Sequence, residues 1–178
     1  MRTRLTSLTP RLPVEHPRYH RSFGWALLFA AVVTAVVGGI GGDLTVLGPW
    51  YQALQKPWWQ PPDWAFPIVW STIFVLSVFA MAFAWRDVEG PVRRGWVVFF
   101  FVATGALNIL WSYLFFALQR PDYALVEVGF LWLCVLLLVL LPWRDSKTAS
   151  LLFFPYLVWV TIASYLTWTV VQLNGPFV

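Results

Sequence analysis

Long apolar segments, separated by short polar ones, make up most of this chain. A helix that crosses the hydrocarbon core of a bilayer needs about 20 mostly apolar residues, since it rises about 1.5 Å per residue. Five segments reach that length, so the pattern predicts an all-α membrane protein, a bundle of five transmembrane helices. The predicted spans are residues 23–42, 64–85, 95–118, 121–141 and 149–173.

Composition supports a membrane bundle without a separate soluble domain. The chain has 178 residues, of which 60% are hydrophobic and 11% charged, against about 25% charged in an ordinary globular domain. We therefore predict one transmembrane domain over residues 23–178, preceded by a flexible basic arm over residues 1–22. The arginine-rich arm also has the composition of a targeting peptide, but its three prolines would interrupt the amphipathic helix that such a peptide forms.

Charge is distributed unevenly between the two ends of the predicted bundle. Ten basic residues fall on the side of the N-terminus, and only Lys56 and Arg120 fall on the other side. Basic loops stay in the cytoplasm, so we expect a cytoplasmic N-terminus and a C-terminus outside. The basic residues are dispersed between apolar segments and form no patch that would bind nucleic acid.

A loop rich in tryptophan and proline, residues 43–63, joins the first two spans, and we call it the Trp/Pro loop. Proline fixes φ and restricts the preceding residue, so the loop should be stiff, with one helical turn around residues 51–54. Glycines precede it at the end of the first span and could act as a hinge. Because long ordered loops are usually functional, we expect this one to control access of a ligand.

The chain has 13 tryptophans, and those at helix ends are typical interfacial anchors. Trp70 and Trp111 lie deeper, about 9 Å and about 10 Å from the outer ends of their helices at 1.5 Å per residue. Helical spacing places Asn108, Trp111 and Ser112 on one face. The alternative roles are packing for the tryptophans and interhelical hydrogen bonding for Asn108.

Tyr156, Trp159 and Ala163 form a similar face on the fifth span. Together with the third span they predict an outward-opening cavity, lined by aromatic and a few polar groups, that suits a flat and largely apolar ligand. Glu127 is a carboxylate inside an apolar segment, which makes it either a functional group or a structural one near a helix N-terminus. Its span also holds the only cysteine of the chain, Cys134, and no metal-binding or catalytic motif is present.

The ordered combination of these motifs resembles the TspO/MBR family. The loop motif consists of Trp50, Tyr51, Leu54, Lys56, Pro57, Trp59, Pro61, Pro62, Phe66, Pro67 and Trp70. The helix motifs consist of Asn108, Trp111, Ser112, Phe115 and Phe116, then Ala124 to Glu127, then Pro155, Tyr156, Leu157, Trp159 and Ala163. The resemblance covers residues 23–173.

The resemblance implies a homodimer of five-helix bundles that binds porphyrins such as protoporphyrin IX and, in some members, sterols. It places ligand-binding residues at Trp50, Trp59, Trp70, Asn108, Trp111, Trp159 and Ala163, to which the face on the fifth span adds Tyr156. The chain departs from the family at Leu166, Thr167 and Trp168, where many members have Leu-Asn. It also has no basic residue after Lys147, so it lacks the animal cholesterol motif.

Three functions are compatible with the sequence. The first is a binding protein for porphyrins that acts as a sensor, scavenger or transport facilitator, with no cofactor of its own. The second, implied by the resemblance, is an enzyme that degrades porphyrin in light through Trp70 and Trp159. The third is a channel or transporter, which is disfavoured because no inverted repeat or pair of broken helices is visible.

Overall fold

The computed structural model describes residues 22–177 of the chain, and these residues are all-helical, without strands. Five of the helices are long and apolar enough to span a membrane, which confirms the predicted fold class. The basic arm predicted at residues 1–22 lies, except for Ser22, outside the described residues. The helices are α1 (Phe23–Leu44), α2 (Pro49–Ala53), α3 (Ala65–Asp87), α4 (Pro91–Ser112), α5 (Pro121–Leu140) and α6 (Lys147–Asn174).

The helix ends lie close to the predicted ones, with one clear difference at the start of α4. This helix begins at Pro91, four residues before the predicted start at residue 95. Proline suits the first position of a helix, because its missing N–H would be unpaired there in any case. Gly90, with φ of 79°, makes the turn that leads into it. The short α2 lies where the sequence predicts one helical turn in the Trp/Pro loop.

The five spanning helices form a ring. Every sequential pair of them is in contact, and the ring closes through two pairs distant in sequence, α1 with α4 and α3 with α6. The order around the ring is therefore α1, α3, α6, α5, α4. Apolar side chains such as Trp25, Phe99 and Phe130 point away from the ring and are exposed, as expected for a surface that lipid covers.

The two ends of the bundle are packed differently. Opposite the Trp/Pro loop, small and aromatic residues such as Ala80, Ala84 and Phe153 are fully buried in one dense cluster. At that end Arg93 pairs with Asp145 at 2.6 Å, and the Ser146 hydroxyl donates to Asp87 at 2.7 Å. The large open space of the bundle lies nearer the loop. We call the two ends the loop end and the closed end.

Candidate ligand cavity

A cavity of about 560 Å³ lies inside the ring at the loop end. This volume falls within the range of about 300 to 1,000 Å³ that is typical of small-molecule sites. All five spanning helices and the Trp/Pro loop contribute to its wall. The main lining residues are Gly38, Gly41, Phe66, Trp70, Phe74, Asn108, Trp111, Phe115, Phe116, Val128, Leu131, Trp159 and Ala163 from the helices, with Tyr51, Leu54, Lys56, Gln60 and Asp63 from the loop.

Aromatic rings from α3 and α6 form one wall of the cavity. The ring centroids of Trp70 and Trp159 are 6.4 Å apart, with their planes at 89°. Phe66 meets Trp159 edge to face at 5.7 Å, and Tyr156 meets Trp70 in the same way at 5.9 Å. Edge-to-face pairs are the favoured geometry between aromatic rings, so this wall is held in place by its own contacts.

The wall from α4 includes the polar face that the sequence predicts. Asn108 and Ser112 are buried, and their side-chain oxygens approach Gly41 of α1, where a Cβ atom would lie 3.9 Å and 3.8 Å from them. Trp111 lines the cavity one turn from Asn108 and stacks on Phe115 at 5.0 Å. Asn108 thus stands at the cavity surface between α1 and α4.

A π-helical turn, Tyr113–Ala117, continues α4 towards the loop. Its wider winding is seen in the hydrogen bond from the Leu118 N–H to the Tyr113 carbonyl, five residues back, at 2.9 Å. Such turns are rare and are often found at functional sites. Here the turn places two consecutive residues, Phe115 and Phe116, in the cavity wall. The apolar pattern of the sequence predicted an ordinary α-helix at this position.

The Trp/Pro loop covers the cavity through a cluster around Tyr51. The Tyr51 hydroxyl donates to Asp63 at 2.9 Å and accepts from the Gln60 amide at 3.2 Å. The Lys56 ammonium lies 3.6 Å from the centre of the Tyr51 ring. Burial, followed by the hydrogen bond to the Asp63 carboxylate, raises the pKa of Tyr51 to about 12, so the phenol stays protonated at neutral pH.

Two contacts attach the loop to the end of α6. The Asn174 amide accepts a hydrogen bond from the Gln55 backbone N–H at 2.7 Å and donates one to the Gln55 carbonyl at 2.9 Å. Trp59 stacks on Tyr165 at 5.1 Å with an angle of 17° between the planes. The Trp/Pro loop is therefore attached to α6 at two positions, Asn174 and Tyr165.

The structure brings five of the eight predicted ligand-binding residues together in the cavity wall, namely Trp70, Asn108, Trp111, Trp159 and Ala163. The other three lie outside it. Trp50 packs on Phe115, Trp59 stacks on Tyr165, and Tyr156 is buried behind Trp70. Gly38, Phe66 and Phe74 also line the cavity and were not predicted as ligand-binding residues from the sequence. The helical spacing of Gly38, Gly41, Gly42 and Thr45 places them along one side of α1, and this spacing could have predicted which face of α1 lines the cavity.

Two tryptophans of the cavity wall, Trp111 and Trp159, have indole N–H groups that lack a partner within the described residues. The indole N–H groups of Trp111 and Trp159 are buried and donate no hydrogen bond there. An unpaired buried donor costs about 1 to 3 kcal/mol, so each indole N–H is a local cost to the packing of the wall. Other polar residues of the lining include Asn108 on α4 and, from the Trp/Pro loop, Lys56, Gln60 and Asp63.

Glu127 lies apart from the cavity surface. It is buried on α5, its two carboxyl oxygens have no hydrogen-bond partner within residues 22–177, and it is not among the lining residues. Its neighbours Val128 and Leu131 do line the cavity. Within the same residues, no group of three or more His, Cys, Asp or Glu side chains could hold a metal ion.

Comparison with known proteins supports the resemblance seen in the motifs. The family model of the TspO/MBR family matches residues 26–173. The chain is 43% identical to the tryptophan-rich protein TspO of Chlorobaculum tepidum over 70% of this chain and 79% of that protein. It is 36% identical to protein CrtK of Rhodobacter capsulatus, over 83% of this chain and 92% of that one. It is 30% identical to the translocator protein of Sus scrofa, over 81% and 89% of the two chains.

Proposed function

Since the chain belongs to the TspO/MBR family of membrane proteins, we propose that it binds porphyrins such as protoporphyrin IX, and similar flat apolar ligands, inside the bilayer. It would act as a sensor, scavenger or transport facilitator. The observation that carries this proposal is the cavity of about 560 Å³ between the five helices, walled by Trp70, Trp111 and Trp159. Aromatic walls favour a flat ring system, because rings can pack against it in offset-stacked or edge-to-face arrangements.

This proposal can be tested by a substitution that places a larger uncharged side chain in the cavity. Ala163 lines the cavity, whereas Ala106 on α4 is exposed on the outer surface of the ring. Ala163→Phe should weaken protoporphyrin IX binding at least about tenfold, the loss that corresponds to 1.4 kcal/mol. Ala106→Phe adds the same side chain away from the cavity and should bind as the wild type does. Titration followed by porphyrin absorbance measures both, and equal affinities would place the ligand elsewhere.

The same proposal includes an orientation. Within residues 22–177, five basic side chains lie at the closed end, and Lys56 and Arg120 lie at the loop end. The positive-inside rule then supports a cytoplasmic closed end and N-terminus, with the cavity and the C-terminus outside. Cysteines introduced at Ser7 and Gln172, after Cys134→Ala, should react with an impermeant reagent from opposite sides of the membrane. Reaction of both from one side would refute this orientation.

We also propose that the protein forms a homodimer, a state that the family resemblance supports. Light scattering of the purified protein, corrected for bound detergent, should give the mass of two chains. A single-chain mass that persists in lipid nanodiscs would refute the dimer without affecting the proposed ligand, because the cavity is lined by one chain.

A second candidate function is light-dependent porphyrin degradation. The observation that favours it is the edge-to-face pair of Trp70 and Trp159 in the cavity wall, 6.4 Å apart. Replacing either by Phe keeps an apolar wall and removes the more easily oxidised indole. If the protein degrades porphyrin, these variants should slow bleaching in light far more than they weaken binding. If it only binds, affinity should fall by at most about 1 to 2 kcal/mol and bleaching should not slow.

A further inference from the structure

The described part of the cavity wall contains only two charged residues, and both belong to the Trp/Pro loop. They are Lys56 and Asp63, and the rest of the lining is apolar or uncharged. A charge next to an apolar cavity affects which ligands can bind, because an ion is stabilised there only by a partner of opposite sign. The position of the two charges therefore bears on the chemical class of the ligand.

Lys56 lacks an acidic partner within residues 22–177 and contacts an aromatic ring instead. Its ammonium sits over the Tyr51 ring at 3.6 Å, a cation–π contact, and no carboxylate of the described residues lies within ion-pair distance of it. Lys56 is half-buried. The other basic residue at the loop end, Arg120, pairs with Asp122 at 2.6 Å. Of the two, Lys56 is the cation that remains available to an anionic group.

Asp63 is already engaged by the same tyrosine. Its carboxylate accepts the Tyr51 hydroxyl at 2.9 Å, so Tyr51 holds Lys56 on its ring face and Asp63 at its hydroxyl. The Lys56 ammonium has three N–H donors. Its contact with the Tyr51 ring is a cation–π contact and does not occupy these donors with an oxygen acceptor. An anionic ligand group that approaches Lys56 would thus find unused donors, and it would be opposed by the nearby charge of Asp63.

We propose that Lys56 binds a carboxylate of the ligand and that the protein selects amphipathic acids, namely flat apolar molecules with a negatively charged edge. This inference rests on the proposed function, and it assigns the ligand an orientation. The acidic edge lies under the Trp/Pro loop at Lys56, and the apolar ring system extends to Trp70 and Trp159. Protoporphyrin IX has this character, because its two propionate groups lie on one edge of an apolar macrocycle.

The experiment compares protoporphyrin IX with its dimethyl ester, which has the same ring and no negative charge. Binding of both is measured in nanodiscs of a zwitterionic lipid for the wild type, Lys56→Gln and Lys147→Gln. Lys147 begins α6 at the closed end and is exposed, so it is a matched loss of one positive charge far from the cavity. Asp63→Asn removes the opposing charge and should strengthen binding of the acid.

Lys56→Gln should weaken binding of the acid by about tenfold or more, the effect of one charge-assisted hydrogen bond, and change binding of the ester by less than about twofold. Retained binding of the ester also shows that the variant is folded. Lys147→Gln should leave both affinities unchanged. Equal losses for acid and ester, or no loss for either, would overturn the role of Lys56 and leave the porphyrin site standing. Failure of the wild type to bind either molecule would overturn the proposed function and this inference together.

Discussion

Asn174 is the residue at which attachment of the Trp/Pro loop can be tested most directly. Its side chain makes two hydrogen bonds to the backbone of Gln55, at 2.7 Å and 2.9 Å, across 119 residues of sequence. A third bond, to the Val170 carbonyl at 2.8 Å, stays within α6. Asn174→Ala removes both bonds to the loop. The Trp59–Tyr165 stack does not involve Asn174, so the loop should loosen and still remain docked.

The magnitude follows from these two bonds. A hydrogen bond contributes about 0.5 to 1.5 kcal/mol net, and the lower half of that range applies because Gln55 is exposed. Two bonds then correspond to about 1 to 2 kcal/mol, so local opening of the loop should become about 5 to 30 times more frequent. If the ligand passes under this loop, its association and dissociation rates should rise by similar factors, while its affinity changes little.

Hydrogen exchange of the peptide that contains Gln55 measures the opening, and stopped-flow fluorescence measures the rates for protoporphyrin IX. Thr169→Ala is a suitable control, since Thr169 is on the same helix and its hydroxyl bonds only within α6, to the Tyr165 carbonyl at 2.8 Å. Asn174→Asp keeps the acceptor and loses the donor, so its effect should be intermediate. Faster exchange with unchanged ligand rates would refute the idea that the ligand passes under the loop, and unchanged exchange would refute the attachment itself.

Three further predictions address packing, protonation and stiffness. Gly105→Ala should lower the free energy of unfolding by about 1 to 3 kcal/mol in a thermal melt, because its Cβ would lie 2.8 Å from Val37. Because the pKa of Tyr51 is raised to about 12, its protonated phenol stabilises the docked loop fully below pH about 10, and this stabilisation is lost as pH rises through about 12. Phenolate absorbance measures the ionisation, and hydrogen exchange of the loop measures the docking. Replacing Pro61 and Pro62 by Ala should weaken porphyrin affinity by about 1 kcal/mol in a titration, since the free loop becomes less ordered.

Much of the cavity could be predicted from spacing within single helices. Asn108, Trp111 and Ser112 share a face because they lie three and four residues apart, and depth along a helix follows from the rise per residue. The position of the Trp59 ring could not be predicted in this way. Its position in a motif does not say which way a loop turns its ring, and the ring stacks on Tyr165 outside the cavity.

The sequence by itself determined the membrane spans and the charge difference between the two ends, because the cost of placing polar groups in hydrocarbon depends mainly on composition and length. Only the tertiary structure decided that α1 meets α4 and α3 meets α6, since ring closure depends on the close fit of helices distant in sequence. It also decided that open space remains at the loop end. Packing is dense at the closed end, where alanines let helices approach, whereas near the loop tryptophans and the π-helical turn line the open space.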